Sequence, residues 1–226
     1  MPNLTHPYIK LTAECLPYGA SLVAVSKTRT KAEIEKLYKL GQRIFAENRA
    51  QELLEKAPLM PSDIEWHLIG HLQTNKVRAI LPFVSCIQSL DRPGIWEKIQ
   101  SESSRINKTV RCLLQIKIAT EETKFGWDIA ELDAFLLAGN HNAFPYAKIC
   151  GVMGMASLTE DTDQVRNEMR QLKKVFDDLK LKYFSNDVAF STISMGMSGD
   201  YRIALEEGST MIRVGSLLFQ KSNQEI

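Results

Sequence analysis

Short apolar runs alternate along this chain with longer stretches in which apolar residues recur every three or four positions. The first run, residues 21–27, gives way to Thr30 and, three positions on, Glu33, the pairing that forms a capping box at a helix start. Ile34, Leu37 and Tyr38 then fall on one helical face, and Gly41 stands where a helix would stop. The alternation recurs. Further strands are predicted at residues 43–46, 65–69, 84–88, 110–118, 148–153, 188–191 and 210–214, making eight with the first, each followed by a segment able to hold a helix. The clearest helix is predicted over 162–180, where Val165, Met169, Leu172, Phe176 and Leu179 keep a spacing of four, three, four and three.

Strands that look buried on both faces, separated by amphipathic helices, imply a parallel sheet. Eight such units in 226 residues fit a closed (β/α)8 barrel of the TIM type, and an open doubly wound α/β sheet remains the alternative. No Pro-, Gly- or Ser-rich linker interrupts the alternation, so residues 1–226 are expected to form a single domain.

Composition narrows the function classes. Twenty-eight Lys and Arg against 27 Asp and Glu give a net charge of +1, which supplies no general attraction to nucleic acid or an anionic membrane. No apolar stretch approaches the roughly 18 residues of a membrane span, and residues 1–10 lack the apolar centre of a secretory signal. Cys15, Cys86, Cys112 and Cys150 form no C-x-x-C pair, which argues against a zinc site or redox dithiol and for free thiols in a reducing cytoplasm. His67 and His71 are four apart, but Gly70 lies between them and the segment reads as a strand entering a loop, so no metal site is expected there.

In a barrel of this kind, functional groups gather at the C-terminal ends of the strands, and phosphate commonly sits after the last two. After the seventh predicted strand comes Ser194-Met195-Gly196-Met197-Ser198-Gly199-Asp200, with Ser198 expected to open a helix holding Tyr201, Ala204 and Leu205. After the eighth comes Arg213-Val214-Gly215-Ser216. Each fragment alone is an ordinary Gly-Ser turn, but together they can form two halves of one anion cup. Lys27 ends the first predicted strand, which lies beside the eighth in a closed barrel, so its amine would reach that cup. A lysine at a strand end is ordinarily a solvated charge. Desolvation and a nearby Arg213 would instead turn it into a nucleophile able to form a Schiff base.

Taken together, several segments resemble one known family across nearly the whole chain. They are Ala24 to Thr28, Glu47-Asn48 with Gln51-Glu52, Trp66 to Lys76, Lys124-Phe125-Gly126, Ser194 to Asp200 and Gly208 to Ser216. The family is that of the pyridoxal phosphate homeostasis proteins, similar to the barrel domain of alanine racemases without their second, β-rich domain. The resemblance implies that Lys27 carries pyridoxal 5′-phosphate covalently. It also implies that Ser198, Gly215 and Ser216 with the Met197 backbone hold the phosphate, that Arg213 faces the pyridine nitrogen, and that Asn48 lines the pocket. Four positions depart from the family pattern: Ala46 for glycine, Arg49 for an aromatic, Thr30 for proline and Gln220 for glycine.

An arginine at the pyridine nitrogen stays charged and is a poor proton source, so it weakens the electron sink on which carbanion chemistry depends. Racemases of the related fold add a tyrosine acid/base from the domain missing here. The leading expectation is therefore a cytoplasmic, monomeric carrier that stores, buffers or delivers the cofactor to apo enzymes and has no catalytic residue of its own. A low-activity amino-acid racemase and a phosphosugar enzyme with a Schiff-base Lys27 are the alternatives.

Overall fold

The computed structural model describes residues 6–119, 125–139 and 145–219. Lys124, Gln220 and the two ends of the 1–226 span lie outside the described residues. Eight parallel strands close on themselves in sequence order: β1 (Ser21–Val25), β2 (Ile44–Glu47), β3 (Glu65–Leu68), β4 (Val84–Leu90), β5 (Val110–Gln115), β6 (Ala147–Met153), β7 (Thr192–Ser194) and β8 (Met211–Val214). The joint is made by β1 and β8, which pair Ser21 with Met211, Leu22 with Ile212, Val23 with Arg213 and Ala24 with Val214. This pairing removes the open-sheet alternative.

Among the described residues the helices are α1 (Pro7–Cys15), ahead of the barrel, then α2 (Lys31–Lys39), α3 (Ala50–Lys56), α4 (Thr74–Ile80), α5 (Pro93–Arg105), α6 (Ile129–Leu137), α7 (Thr162–Lys182) and α8 (Tyr201–Glu206). The capping box is present: Thr30 Oγ1 accepts from Glu33 N, and Glu33 Oε2 accepts from Thr30 N at 2.8 Å. Gly41, at φ 108°, follows the end of α2 and donates to Tyr38 O.

Three strand expectations need correction at their ends and one in its place; β4 runs two residues further than expected, to Leu90. β1 stops at Val25, so Lys27 lies in the turn beyond it and does not end the strand. β5 stops at Gln115 because Ile116 turns to bridge Trp127. The seventh strand was expected at 188–191 and is found at Thr192–Ser194. Val188 is 91% exposed, and Asp187 Oδ1 takes the Ala189 amide in a turn. Phe190 supplies the misleading apolar signal: it stacks on Phe184 at 4.2 Å and on Phe176 of α7 at 5.0 Å instead of entering the sheet.

The main core lies between sheet and helices, where Phe45, Leu68, Ile87, Ile193, Ile212 and Val214 meet Ile34, Leu37, Val77, Met169 and Leu172. Alternation turns the intervening strand residues into the barrel. There Val23, Ala46 and Met211 form one small apolar group, and Cys86, Leu113, Cys150 and Met153 form another. His67, Gln88, Ser194 and Arg213 share this interior and are all buried. Ala46, one of the departures noted above, is thus a packing residue. All four cysteines are free and buried.

Replacing Thr30 with alanine removes the side-chain half of the cap on α2 and leaves the bond from the residue-30 N–H to Glu33 Oε2. It is expected to cost about 1 kcal/mol and to lower the thermal midpoint by about 2–4 °C, read by differential scanning calorimetry.

Candidate functional site

At the C-terminal end of β1 the chain makes a sharp turn whose backbone is held from below. Thr28 adopts φ 62°, a conformation that non-glycine residues rarely take. Its N–H donates to Glu52 Oε2 at 2.7 Å. On the other side of Lys27, Ser26 O accepts from Lys56 Nζ at 2.8 Å. The same ammonium donates to Glu47 Oε1 and Glu52 Oε2, both at 2.9 Å, and Ser26 Oγ donates to Glu47 Oε1 at 2.7 Å. Both peptide groups flanking Lys27 are therefore tied to one ion cluster built from the end of β2 and from α3. Lys27 itself is exposed, so the described residues do not supply the desolvation expected of its amine.

The cluster carries opposing electrostatics. Burial pushes the Glu47 carboxyl above its ordinary value, against the hydrogen bonds from Ser26 and Lys56. Burial works against the charge of Glu52 too, but the bonds from Thr28 N–H and Lys56 outweigh it and hold that carboxyl low. The sequence offered a signal for this arrangement in the Glu52–Lys56 pair at i, i+4 on α3. It gave none for the reach of Lys56 back to β1.

Of the loops after β7 and β8, the second stands beside that turn. Gly215 packs against the end of β1 so closely that an added Cβ would lie 3.1 Å from Val25 O. Ser216 beside it is exposed. In the other loop, Ser198 is half-buried and lies in the turn before α8; it does not open the helix, which begins at Tyr201 with Asp200 at the N-cap position and no side-chain cap bond. Met197, 37% exposed, was expected to offer its backbone. Its N–H already donates to Asp200 Oδ1 at 2.5 Å, and its carbonyl accepts from Tyr201 N at 2.9 Å. Met195 is buried and packs in the core.

Arg213 rises from β8 into the barrel and is 3% exposed. Its Nη1 donates to Ser194 Oγ at 2.7 Å and its Nη2 to Gly154 O at 2.9 Å. Both acceptors are neutral, and among the described residues it makes no ion pair. Burial lowers its pKa to about 10, against the attraction of Asp200, so it stays charged at pH 7.

Asn48, half-buried after β2, is placed by a backbone contact from the long Trp66–Lys76 segment. Gly70 lies so near that an added Cβ would stand 2.1 Å from Asn48 O, which explains why glycine is required at that point. The two histidines of the segment part there. His67 sits inside the barrel, with Nδ1 at 2.9 Å from Gln88 Nε2, while His71 lies in the following loop, bonded to Asp91 and stacked on Phe125 at 4.1 Å. Among the described residues, no group of three or more His, Cys, Asp or Glu side chains is arranged to hold a metal ion.

Arg49 is exposed at the start of α3 and makes no side-chain cap there. The described structure thus brings the Lys27 turn, Gly215 and Arg213 to neighbouring positions at the β1–β8 joint.

The chain is similar to known proteins over most of its length. The family model for the alanine racemase N-terminal domain matches residues 2–223. A pyridoxal phosphate homeostasis protein of Aquifex aeolicus is 37% identical over 204 residues, covering 88% of this chain and 86% of that protein. Its counterpart in Escherichia coli K12 is 33% identical over 226 residues, covering 96% and 94%. The solved structure of PipY from Synechococcus elongatus with pyridoxal phosphate bound superposes with a TM-score of 0.85 at 31% identity, covering 94% of this chain and 98% of that one. Alanine racemase from Bartonella henselae, at 17% identity and a TM-score of 0.69 over 93% of this chain and 56% of that one, shares the fold.

Substituting Lys56 with methionine would strand the buried Glu47 carboxylate. This is expected to cost ~3 kcal/mol near pH 7, measured by urea unfolding. Because burial raises the Glu47 pKa in the folded state, the carboxyl protonates on acidification before an unfolded one would, and the loss narrows as pH falls from 7 towards 4.5. Lys56→Arg should recover part of the difference.

Proposed function

The chain belongs to the alanine racemase N-terminal domain family, in the group of pyridoxal phosphate homeostasis proteins, and on that premise we propose that it binds pyridoxal 5′-phosphate through Lys27 and buffers or delivers it without substantial turnover. The observation that carries this reading is the meeting of the Lys27 turn with Gly215 and the buried Arg213 at the β1–β8 joint. The donor set fits the cofactor. A buried guanidinium whose described partners are neutral favours a dianionic ligand nearby, and two serine hydroxyls with a side-chain-free Gly215 suit a phosphate.

Bound pyridoxal phosphate supplies an aldehyde that condenses reversibly with an amine and a pyridine ring that can withdraw electrons. In this reading Lys27 provides the amine from an exposed position, so loading and unloading proceed at the open mouth of the barrel. Ser198, Gly215 and Ser216 hold the phosphate, and Met197 N–H joins them only once Asp200 gives it up. Asn48 lines the pocket. Arg213 donates to the ring nitrogen and, charged at neutral pH, keeps that nitrogen unprotonated.

Three of the tyrosines have their hydroxyls engaged elsewhere: Tyr38, Tyr183 and Tyr201 donate to Asp63, Asp133 and Glu14. The bond to Asp63 raises the Tyr38 pKa, and burial followed by the carboxylate bond raises those of Tyr183 and Tyr201. This supports a carrier over a racemase. The recipients on this reading are apo forms of pyridoxal phosphate enzymes in the cytoplasm, met by a monomeric barrel. No described helix is long and apolar enough to cross a membrane.

Protein mixed with the cofactor, reduced with borohydride and digested should carry the pyridoxyl mass on Lys27, and Lys27→Ala should lose both the label and the yellow colour. Label on another lysine would refute the site. Ser198→Ala and Ser216→Ala should each weaken binding by about tenfold. Solvent deuterium entering the α-carbon of alanine at a useful rate would favour the racemase.

A further inference from the structure

Inside the barrel runs a chain of hydrogen bonds that starts from a fixed donor. Arginine can only donate, so Ser194 Oγ is the acceptor for Arg213 Nη1 at 2.7 Å. The Ser194 hydroxyl proton then goes to Gln88 Oε1, also at 2.7 Å. With its oxygen so engaged, the Gln88 amide turns its nitrogen to His67 Nδ1 at 2.9 Å and to Met211 Sδ at 3.3 Å. The reverse amide orientation would set a second donor against Ser194 Oγ and leave the hydroxyl proton without that acceptor. With the amide in this orientation Nδ1 accepts and carries no proton, which makes His67 the neutral tautomer with hydrogen on Nε2.

The chain links β8, β7, β4 and β3 across the barrel. Ser194, Gln88 and His67 are 0% exposed and Arg213 is 3% exposed. Barrels of this type usually fill their interior with Val, Ile and Leu, and an apolar filling avoids the desolvation cost of buried polar groups. At the far end of the chain, His67 Nε2 is buried and has no hydrogen-bond partner among the described residues. Burial, with a smaller contribution from Arg111, lowers the His67 pKa to about 3, in keeping with the neutral ring. Simple filling does not account for a directed polar chain that ends on the guanidinium of the cofactor site.

We propose that Ser194, Gln88 and His67 are positioning residues that fix the plane of the Arg213 guanidinium and couple His67 across the barrel to a ligand ring held at Arg213. The proposal rests on the pyridoxal phosphate reading given above. Ser194 and Gly154 O take two of the arginine's N–H donors and so determine where the remaining ones point. Loss of a middle link frees the guanidinium to rotate, and a ring donor that can rotate is a weaker one.

Long-range proton–nitrogen NMR of histidine-labelled full-length protein, with and without saturating pyridoxal phosphate, reads one end of the chain. Visible absorbance and the dissociation constant of the cofactor read the other. In the unaltered protein, His67 should be the Nε2–H tautomer and its ring nitrogens should shift on binding. Gln88→Met should abolish that shift, displace the visible band and weaken binding by about tenfold. Ser194→Ala should do the same to the band and the affinity, and Ser194→Thr, which keeps the hydroxyl, should restore both.

An Nδ1–H tautomer in the unaltered protein overturns the proposal, and this needs no variant to fold. So do folded Gln88→Met and Ser194→Ala proteins with unchanged band and affinity, or a Ser194→Thr protein no better than Ser194→Ala. If Lys27 takes the pyridoxyl label while those variants bind normally, the positioning role alone falls. If Lys27 takes none, the cofactor reading falls with it.

Discussion

The pairing of β1 with β8 is the contact on which the remainder depends. Its register sets Val23 against Arg213 and Ala24 against Val214 and so brings the Lys27 turn beside Gly215. These groups are separated by nearly the whole chain, and no local propensity could bring them together. Closure is also what allows an interior at all: an open sheet would leave Arg213 facing a helix layer instead of a ring of strands.

The molecule handles buried charge in two ways around that joint. Beneath the Lys27 turn the charges are paired, with the Lys56 ammonium held by Glu47, Glu52 and the Ser26 carbonyl. Removing a partner from such a cluster is costly, so it acts as a fixed abutment for a backbone that includes a strained Thr28. At Arg213 the described partners are neutral oxygens. Asp200 attracts that charge only from a distance, in contrast with the paired charges under the turn.

Much of the architecture was legible in the alternation of apolar runs and helical faces. The Thr30–Glu33 cap and the Gly41 stop were readable because they depend on neighbours three or four residues away. β7 was misplaced because Phe190 looks like a strand residue, while its burial comes from an aromatic stack with Phe176 and Phe184. The position of Lys27 past the strand follows from Glu52 trapping the Thr28 amide, a contact across 24 residues. The loop glycines and serines could be listed from sequence by family resemblance. The bonding of Gln88 to Ser194, 106 residues away, could not be read from it, because period-two alternation tells which side chains enter a barrel and not which ones touch.

Asp200 gives the loop after β7 an occupant of its own. Its carboxylate already satisfies the Met197 amide that an incoming anion would seek, so the loop is held by a bond within itself. Any gain on arrival at that amide is only the difference between two acceptors. The exchange is therefore nearly balanced at this contact.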